Sequence, residues 1–330
     1  MTSLSIKYGK HAINIFVQQC FVDDIVRLNS GYMNINLHEK IDTCWSIYGL
    51  TSMSNCEVGE CVLDCIEDGP VMEYYIEKNN HCIYVVQPNA EWLPLQVYRM
   101  ARNVMKWLWS ESNYIFMHSS VIDVHGSGVA FMGAKKSGKT STLFAALSIN
   151  GVSFCSNDDL SIEQKEDGIF WAYGWPRSLC VRPDCMYLLG RLFPKLESVI
   201  IKHPGNNIAV NSSKNYYLYP YEMKDITRKE LISKTKLKCI IFPSFCENTH
   251  RRVERLNNSD ALKKLEENLE AIPEKKCIGI SDAFNSRDNS YARSVIKNMS
   301  NHLCFYKLYQ PFSKLEYSKR FLEGLFREIL

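Results

Sequence analysis

The sequence predicts an α/β fold, with a larger α/β domain over residues 93–330 behind a small N-terminal β-rich or α+β domain over residues 1–92. Two observations predict it. Before about residue 90 the apolar segments are short and β-like, as in "INIFVQQCFV", "CWSIYGL" and "HCIYVVQP", with polar turns between them. Further along, a strand, a glycine-bearing loop, a helix and a second strand follow one another. With 330 residues and 46% apolar composition, the chain can bury a substantial core.

Composition excludes several classes of protein. The formal net charge of +3 gives no global field that would attract nucleic acid or an anionic membrane, and no apolar run approaches the ~18 residues that cross a bilayer. The 13 cysteines are scattered and odd in number, and the N-terminus carries no basic-then-apolar signal segment. We therefore expect a cytoplasmic protein that binds neither nucleic acid nor membrane.

The closest group of cysteines consists of Cys56, Cys61 and Cys65. It contains no CxxC pair and has no second pair at the spacing of a zinc ribbon. Buried thiols are therefore the preferred interpretation, ahead of a metal site.

The larger domain opens with a helix. "LQVYRMARNVMKWLW" places apolar residues at helical spacing from Leu95 to Trp109, with Arg99, Arg102 and Lys106 between them. A solvated face beside the core is the preferred interpretation, and a basic face for an acidic partner is the alternative.

A β-hairpin follows. "YIFMHSSVIDV" and "VAFMG" flank the turn "HGSG", and the second strand ends at Gly133. "KTSTLFAALSIN" then has a helical pattern, and "VSFCSNDDLSIE" has that of another strand. A phosphate-binding loop requires this context.

The loop itself is "GAKKSGKT", which satisfies GxxxxGK[ST]. Its glycines let successive backbone N–H groups point inward, and the helix N-terminus adds partial positive charge. Lys139 would neutralise the β- and γ-phosphates of a nucleotide, and the Thr140 hydroxyl would ligate Mg²⁺. Lys135 and Lys136 contact phosphate or extend into solvent. The predicted nucleotide-binding residues are Gly133, Ala134, Lys135, Lys136, Ser137, Gly138, Lys139, Thr140 and Ser141.

Two acidic residues, Asp158 and Asp159, follow the next strand. Adjacent residues on a strand point to opposite faces, so both reach one site only at a strand end or irregularity. One carboxylate would hold Mg²⁺ and the other would accept the proton of an attacking hydroxyl. The alternative is that one of the pair caps a turn.

Here the chain resembles the kinase domain of HPr kinase/phosphorylase and its relatives, which is similar in fold to phosphoenolpyruvate carboxykinase. A histidine, His118, lies fifteen residues before the first loop glycine, and the Asp-Asp pair closes the next strand. "GWPRSLCVRPD", "HRRVERLNNSDALKKL" and "CFYKLYQPF" are similar to later segments of that family. The resemblance runs from about residue 93 to the C-terminus.

The resemblance implies ATP- and Mg-dependent phosphoryl transfer to a hydroxyl, typically a seryl group of a peptide or small protein. It implies that Gly133 to Thr140 bind the nucleotide, that Lys139 acts on its phosphates, and that His118 lies near the acceptor. By the same resemblance Asp158 is the base and Asp159 the metal-linked partner. Without the resemblance, His118 would be read as a hydrogen-bonded core residue.

The sequence also departs from the family. Ser141 stands where the family has an acidic residue after the loop, and no Glu-x-Arg-Gly-x-Gly signature for phosphorolysis is present. We therefore expect neither phosphorolysis nor HPr as substrate. Kinases of ribosomally made peptide precursors are diverged members that fit this pattern.

Arginines are the candidate substrate ligands. Arg177 and Arg182 could pair bidentately with a phosphoryl group or an acidic substrate, or form surface salt bridges. Arg251, Arg252 and Arg255 lie on a loop before a helix and are weaker candidates.

The leading hypothesis is a kinase of a seryl hydroxyl on a peptide or small protein, with the N-terminal domain as a candidate for substrate recognition. A kinase of a free small-molecule alcohol or amino acid is one alternative, and a non-catalytic nucleotide-gated binding module is another. The sequence does not separate these alternatives, because acceptor recognition lies in loops that carry no readable code. The oligomeric state is also left open, with a homo-oligomer as one possibility.

Overall fold

The computed structural model describes residues 1–42, 44–53, 59–66, 69–207, 215–246, 253–270, 279–280, 283–284, 289–311 and 315–329. The chain divides into two compact units. The first comprises residues 1–113 with segments 203–213 and 271–287, and the second comprises residues 114–202, 214–270 and 288–330.

The first unit is an α+β sheet layer. Its strands are β1 (Thr2–Tyr8), β2 (His11–Val17), β3 (Asn34–Leu37), β4 (Ser46–Leu50), β5 (Glu60–Asp64), β6 (Met72–Glu77) and β7 (Cys82–Val86), and its helices are α1 (Val22–Asn29) and α2 (Leu93–Ser110). The strands form one seven-stranded sheet in the order β3-β1-β2-β4-β7-β6-β5. Ile13 and Ile15 on β2, and the cross-strand partners Ile47 and Ile83 on β4 and β7, are buried in its core.

Helix α2 confirms the helix predicted over Leu95–Trp109, but the expected solvated face is wrong. Lys106 is only 2% exposed, and Arg99 and Arg102 are half-buried. The helix packs on β2, β4 and β7 and belongs to the first unit. The division of the chain therefore falls after residue 113, whereas the predicted domain boundary lies at residue 92, because α2 covers the first sheet.

The second unit is the larger α/β layer. Its strands are β8 (Tyr114–Met117), β9 (Ser119–Val124), β10 (Ser127–Met132), β11 (Val152–Ser156), β12 (Leu160–Gln164), β13 (Phe170–Gly174), β14 (Leu179–Val181), β15 (Tyr216–Leu218), β16 (Lys234–Phe245), β17 (Val253–Arg255), β18 (Leu269–Glu270) and β19 (Cys304–Gln310). Its helices are α3 (Lys139–Leu147), α4 (Pro183–Leu192), α5 (Pro220–Thr227), α6 (Asn258–Asn268), α7 (Asn289–His302) and α8 (Leu315–Ile329).

A ten-stranded mixed sheet organises this unit. Eight strands run in the order β11-β9-β10-β16-β13-β12-β8-β18, and β19 joins β16 in parallel and carries β17. Side chains alternate across it: Val129 and Phe131 face a core built with α3, α4, α5 and α8, while Ala130 and Met132 face a core built with α6 and α7. Helices on both faces of a mixed sheet confirm the α/β class predicted for this part of the chain.

The predicted hairpin is present as β9 and β10. Val124 pairs with Ser127, and the two turn residues His125 and Gly126 have φ of 51° and 89°. Two positive φ values are those of the tight turn that matches strand twist. The first predicted strand, however, is split at His118, because β8 pairs with β12 and β18 whereas β9 pairs with β10 and β11.

The strand–loop–helix–strand context is confirmed by β10, the loop, α3 and β11. The single strand predicted for "VSFCSNDDLSIE" is wrong, since it forms β11 and β12 with residues 157–159 between them. Strand β11 pairs with β9, whereas β12 pairs with β13 and β8. The two segments form separate strands because they pair with different neighbours in the sheet.

Two further observations concern cysteines and helices. Every cysteine that the structure describes is a free thiol, and Cys61 and Cys65 are exposed rather than buried; Cys56 lies outside the described residues. None of the helices in the described ranges has both the length and the apolar character needed to cross a membrane.

We expect Phe144→Ala to lower the free energy of unfolding of this unit by about 3–5 kcal/mol, because the ring is fully buried between α3 and the sheet and its removal leaves a cavity. Urea unfolding measures this loss. Lys263→Ala, at an exposed position on α6, should stay within about 0.5 kcal/mol of wild type. Equal effects from the two changes would contradict the assigned packing.

Candidate functional site

The loop between β10 and α3 is tightly curled. Gly133, Lys136 and Gly138 have φ of 150°, 71° and 102°, and Ser137 N–H donates to the Ala134 carbonyl at 3.1 Å. Positive φ is costly for residues with a Cβ and cheap for glycine, which explains the glycines at both ends. The loop therefore has the local geometry that its motif predicts.

Gln310, at the end of β19, fixes the helix side of the loop. It is fully buried, and its Nε2 donates to Thr142 Oγ1 at 2.8 Å and to the Gly138 carbonyl at 3.3 Å. A Cβ on Gly138 would lie 2.4 Å from Gln310 Nε2 and 3.0 Å from the Phe245 ring. The sequence analysis missed Gln310 because it is 172 residues away along the chain.

Lys139 lies inside the loop. Its Nζ donates to the Gly133 carbonyl at 2.7 Å and to the Ala134 carbonyl at 3.2 Å, and the side chain is buried. Burial lowers the pKa of Lys139 below its usual value, and the nearby Asp158 carboxylate opposes that shift. The loop thus holds a cation whose desolvation an incoming anion would offset.

The remaining loop residues lie in three environments. Lys135 and Lys136 are exposed, as Ala134 is, and Thr140 is half-buried at the first turn of α3. Ser141 is buried, with its Oγ 3.5 Å from Cys185 Sγ on α4. The structure therefore places the Ser141 hydroxyl against α4 and both lysine side chains at the surface.

Asp158 occupies the turn between β11 and β12. Its φ is 59°, the left-handed region that aspartate tolerates better than most residues. Its Oδ2 accepts from Asn157 Nδ2 at 3.0 Å, while Asn157 Oδ1 accepts from Ser120 Oγ on β9 at 2.9 Å. This left-handed residue interrupts the strand, so the side chains of Asp158 and Asp159 are not forced to opposite faces of the sheet.

Asp159 is buried beside Asp158, with only 1% of its side chain exposed. Its carboxylate lies 3.9 Å from Arg177 Nη1, and its carbonyl accepts from the Ser156 hydroxyl. Arg182 instead precedes α4 and pairs with Asp184 at 2.9 Å in an exposed ion pair. Of the two predicted substrate arginines, Arg177 therefore contacts the aspartate pair.

His118 lies at the break between β8 and β9 and contacts the same turn. Its Nδ1 is 3.1 Å from the Asp158 carbonyl, and its Nε2 is 3.6 Å from Asp158 Oδ1. Glu270 Oε1 is 3.7 Å from His118 Nδ1. Glu270 reaches this position because β18 pairs with β8, with Glu270 opposite Phe116. Nothing in the local sequence marks Glu270 as a site residue.

Asp158 is the common neighbour of these groups. It acts electrostatically on Lys139 and lies within ion-pair distance of His118, and the next residue adjoins Arg177. Arg255 lies on β17 opposite Tyr306, while Arg251 and Arg252 lie outside the described residues. Two cations, Lys139 and Arg177, thus lie with a histidine and three carboxylates around the loop and the end of β11.

These residues fit a nucleotide and Mg²⁺. Lys139, at the first turn of α3, offers a buried cation to phosphate at a helix N-terminus. The oxygen donors available to Mg²⁺ would be the Thr140 hydroxyl and the aspartate pair. Among the described residues no group of three or more His, Cys, Asp or Glu could hold a metal ion, but Mg²⁺ is commonly bound by one or two carboxylates together with phosphates and water.

The structure aligns with that of the HPr(Ser) kinase/phosphatase from Coxiella burnetii over 64% of this chain and 94% of that chain, at 9% sequence identity and a TM-score of 0.30. That overlap is a distant likeness of fold only. The sequence matches no protein-family model and no curated protein.

We expect Gly138→Ala to abolish most binding of Mg-ADP, because the added Cβ is strained at φ of 102° and collides with Gln310. Isothermal titration measures the affinity. Gly168→Ala is the matched control, since Gly168 has φ of 77° with nothing within 4 Å of its Cβ. Gly168→Ala should cost about 1 kcal/mol of stability through backbone strain, and Gly138→Ala should cost more because Gln310 also has to move. Loss of affinity in both would contradict a specific role for the loop.

The affinity for Mg-ADP should fall as pH rises through the lowered pKa of Lys139, below the usual 10.5 of a lysine. In the folded, unliganded protein Lys139 loses its proton at a lower pH than an exposed lysine does, and the neutral amine no longer attracts phosphate. Titrations between pH 7 and 10 measure the slope.

The charge-retaining variant Lys139→Arg serves as control for this titration. Guanidinium stays protonated throughout the range, so whatever affinity Lys139→Arg retains should lack this slope. A slope shared by both proteins would assign the titration to another group.

Proposed function

We propose that the second unit is an ATP- and Mg-dependent kinase that transfers the γ-phosphoryl group to a hydroxyl. The observation that carries this proposal is the position of Asp158, whose carboxylate lies 3.6 Å from His118 Nε2 and is near enough to Lys139 of the loop to act on it electrostatically. A phosphoryl donor bound at the loop would therefore have near it a carboxylate that can take the proton of an acceptor hydroxyl. Binding of a nucleotide with Mg²⁺ requires only one metal-linked carboxylate, so the presence of Asp158 beside Asp159 favours phosphoryl transfer over binding alone.

The loop would bind the donor. Backbone N–H groups of Gly133–Gly138 and of the first turn of α3 would donate hydrogen bonds to phosphate oxygens, and Lys139 would exchange carbonyl contacts for phosphate contacts. Bound Mg²⁺ would supply charge neutralisation of the phosphates. Thr140, by its place in the loop motif, and Asp159, as the sequence resemblance implies, would hold the ion.

The two aspartates differ in exposure, and this supports separate roles. The Asp158 side chain is 22% exposed, whereas that of Asp159 is 1% exposed. An acceptor hydroxyl has to reach its base from solvent, so Asp158 is the better general base. Asp159, buried beside Arg177, suits a fixed ligand role.

His118 and Arg177 would act at the acceptor side. His118 contacts Asp158 and Glu270 and would orient the Asp158 carboxylate or the acceptor. Arg177 Nη1, 38% exposed as a side chain, would pair with the transferring phosphoryl group. The sequence resemblance favours a seryl acceptor on a peptide or small protein. The missing phosphorolysis signature speaks against the reverse reaction, and the N-terminal domain over residues 1–92, which the resemblance does not cover, is the candidate for recognising the acceptor.

Asp158→Asn should lower turnover by about 10²–10⁴-fold while Mg-ATP still binds nearly normally, because the amide keeps the shape but cannot accept the proton. Asp159→Asn should weaken nucleotide binding in a way that rising Mg²⁺ partly restores. Transfer of labelled γ-phosphate to a degenerate serine-peptide library measures turnover, with free serine as a parallel acceptor.

Asp225→Asn, at an exposed position on α5, is the control for loss of one negative charge and should keep full activity. Transfer to free serine with none to peptide would replace the peptide acceptor by a small-molecule one. Turnover within a few-fold of wild type in both aspartate variants would contradict the two-carboxylate mechanism. Nucleotide binding without transfer to any acceptor would favour the nucleotide-gated module.

A further inference from the structure

The second unit contains a cleft of about 420 Å³ at the opposite end of β10 from the phosphate-binding loop. It lies between the β9–β10 turn, the segment that follows α3, and one face of α8. Its lining residues are Val124, His125, Ser127, Ile149, Asn150, Lys319, Glu323, Phe326 and Arg327. A cleft of this volume is within the range that accommodates small organic molecules.

The α8 wall of the cleft is charged. Lys319, Glu323 and Arg327 recur every four residues and therefore share a face of the helix. Lys319 Nζ is 3.9 Å from Glu323 Oε1, whereas Arg327 has no ion pair with any described residue. Arg327 thus presents an uncompensated guanidinium to the cleft.

A further cation, Lys229, contacts the segment that follows α3. Lys229 Nζ donates to the Ile149 carbonyl at 2.6 Å, and burial together with the nearby Lys319 lowers the pKa of Lys229. The positive groups near the cleft therefore repel one another, and its one lining carboxylate, Glu323, is already engaged by Lys319. An added negative charge would relieve this repulsion.

The rest of the lining combines apolar surface with hydrogen-bond donors. Phe326, Ile149 and Val124 are buried and provide an apolar floor, and His125 covers Gly151, where a Cβ would lie 2.2 Å from the imidazole ring. Asn150 and Ser127 add polar groups to the lining. Apolar walls with a few polar groups are the usual composition of a ligand site.

We propose that this cleft is a binding site for a small organic anion with an apolar body, whose anionic group pairs with Arg327 and Lys319 and whose apolar part packs on Phe326 and Ile149. The guanidinium would bind a carboxylate or sulfonate bidentately. The site is separate from the phosphate-binding loop and does not depend on the proposed kinase activity.

The test uses 8-anilinonaphthalene-1-sulfonate as anionic probe and N-phenyl-1-naphthylamine as its uncharged counterpart with the same rings. Fluorescence titration of the folded protein should show saturable binding of the sulfonate at one site, with the uncharged compound at least about tenfold weaker, because a charge-assisted contact is lost. Higher salt should weaken sulfonate binding.

Arg327→Gln and Lys319→Gln should each weaken the sulfonate by about tenfold and leave the uncharged compound unchanged. Arg320→Gln is the matched control, because it removes the same charge from an exposed position of α8 outside the cleft. It should bind both compounds as wild type does. Asn150→Trp should block both compounds, because the larger side chain would occupy part of the cleft that Asn150 lines. Equal weakening by Arg320→Gln, unchanged affinity in Arg327→Gln, or no saturable binding by wild type would overturn the proposal.

Discussion

A buried lysine ammonium has to be surrounded by oxygen atoms, and this requirement organises the candidate site around Lys139. The carbonyls of Gly133 and Ala134 are its acceptors, at 2.7 and 3.2 Å, and they reach the ammonium where the loop backbone takes positive φ. A buried charge stripped of such partners costs several kcal/mol, so the loop conformation and the lysine position stabilise each other. The same cation then lies where the first carboxylate of the aspartate pair can act on it.

The positions of the Asp158 and Asp159 carboxylates depend on the end of strand β11. Residues 157–159 leave β11 and enter β12, and Asp158 takes a left-handed conformation between them. That conformation exposes Asp158 beside His118 while Asp159 stays buried beside Arg177. Two neighbours in sequence therefore meet different surroundings, which is the physical basis for giving them different chemical roles.

Strand breaks are also where sequence patterns were least informative. The segments around His118 and around the aspartate pair each read as one strand, since apolar residues continue on both sides. Each is two strands, because the halves pair with different neighbours in the sheet. Similarly, helix α2 has an amphipathic pattern, but it is buried almost all round and covers the first sheet, a contact that its own residues cannot specify.

The sequence by itself determined the loop and its context. Glycine spacing, the lysine that follows and the switch from strand to helix are contiguous, and backbone sterics act over a few residues. The α/β class followed from the same local patterns. Only the tertiary structure brought Gln310 to Gly138 and Glu270 to His118, pairs that are 172 and 152 residues apart. These contacts depend on the order of strands in the sheet, since β19 beside β16 and β18 beside β8 place them, and strand order is decided by long-range pairing that no short segment encodes.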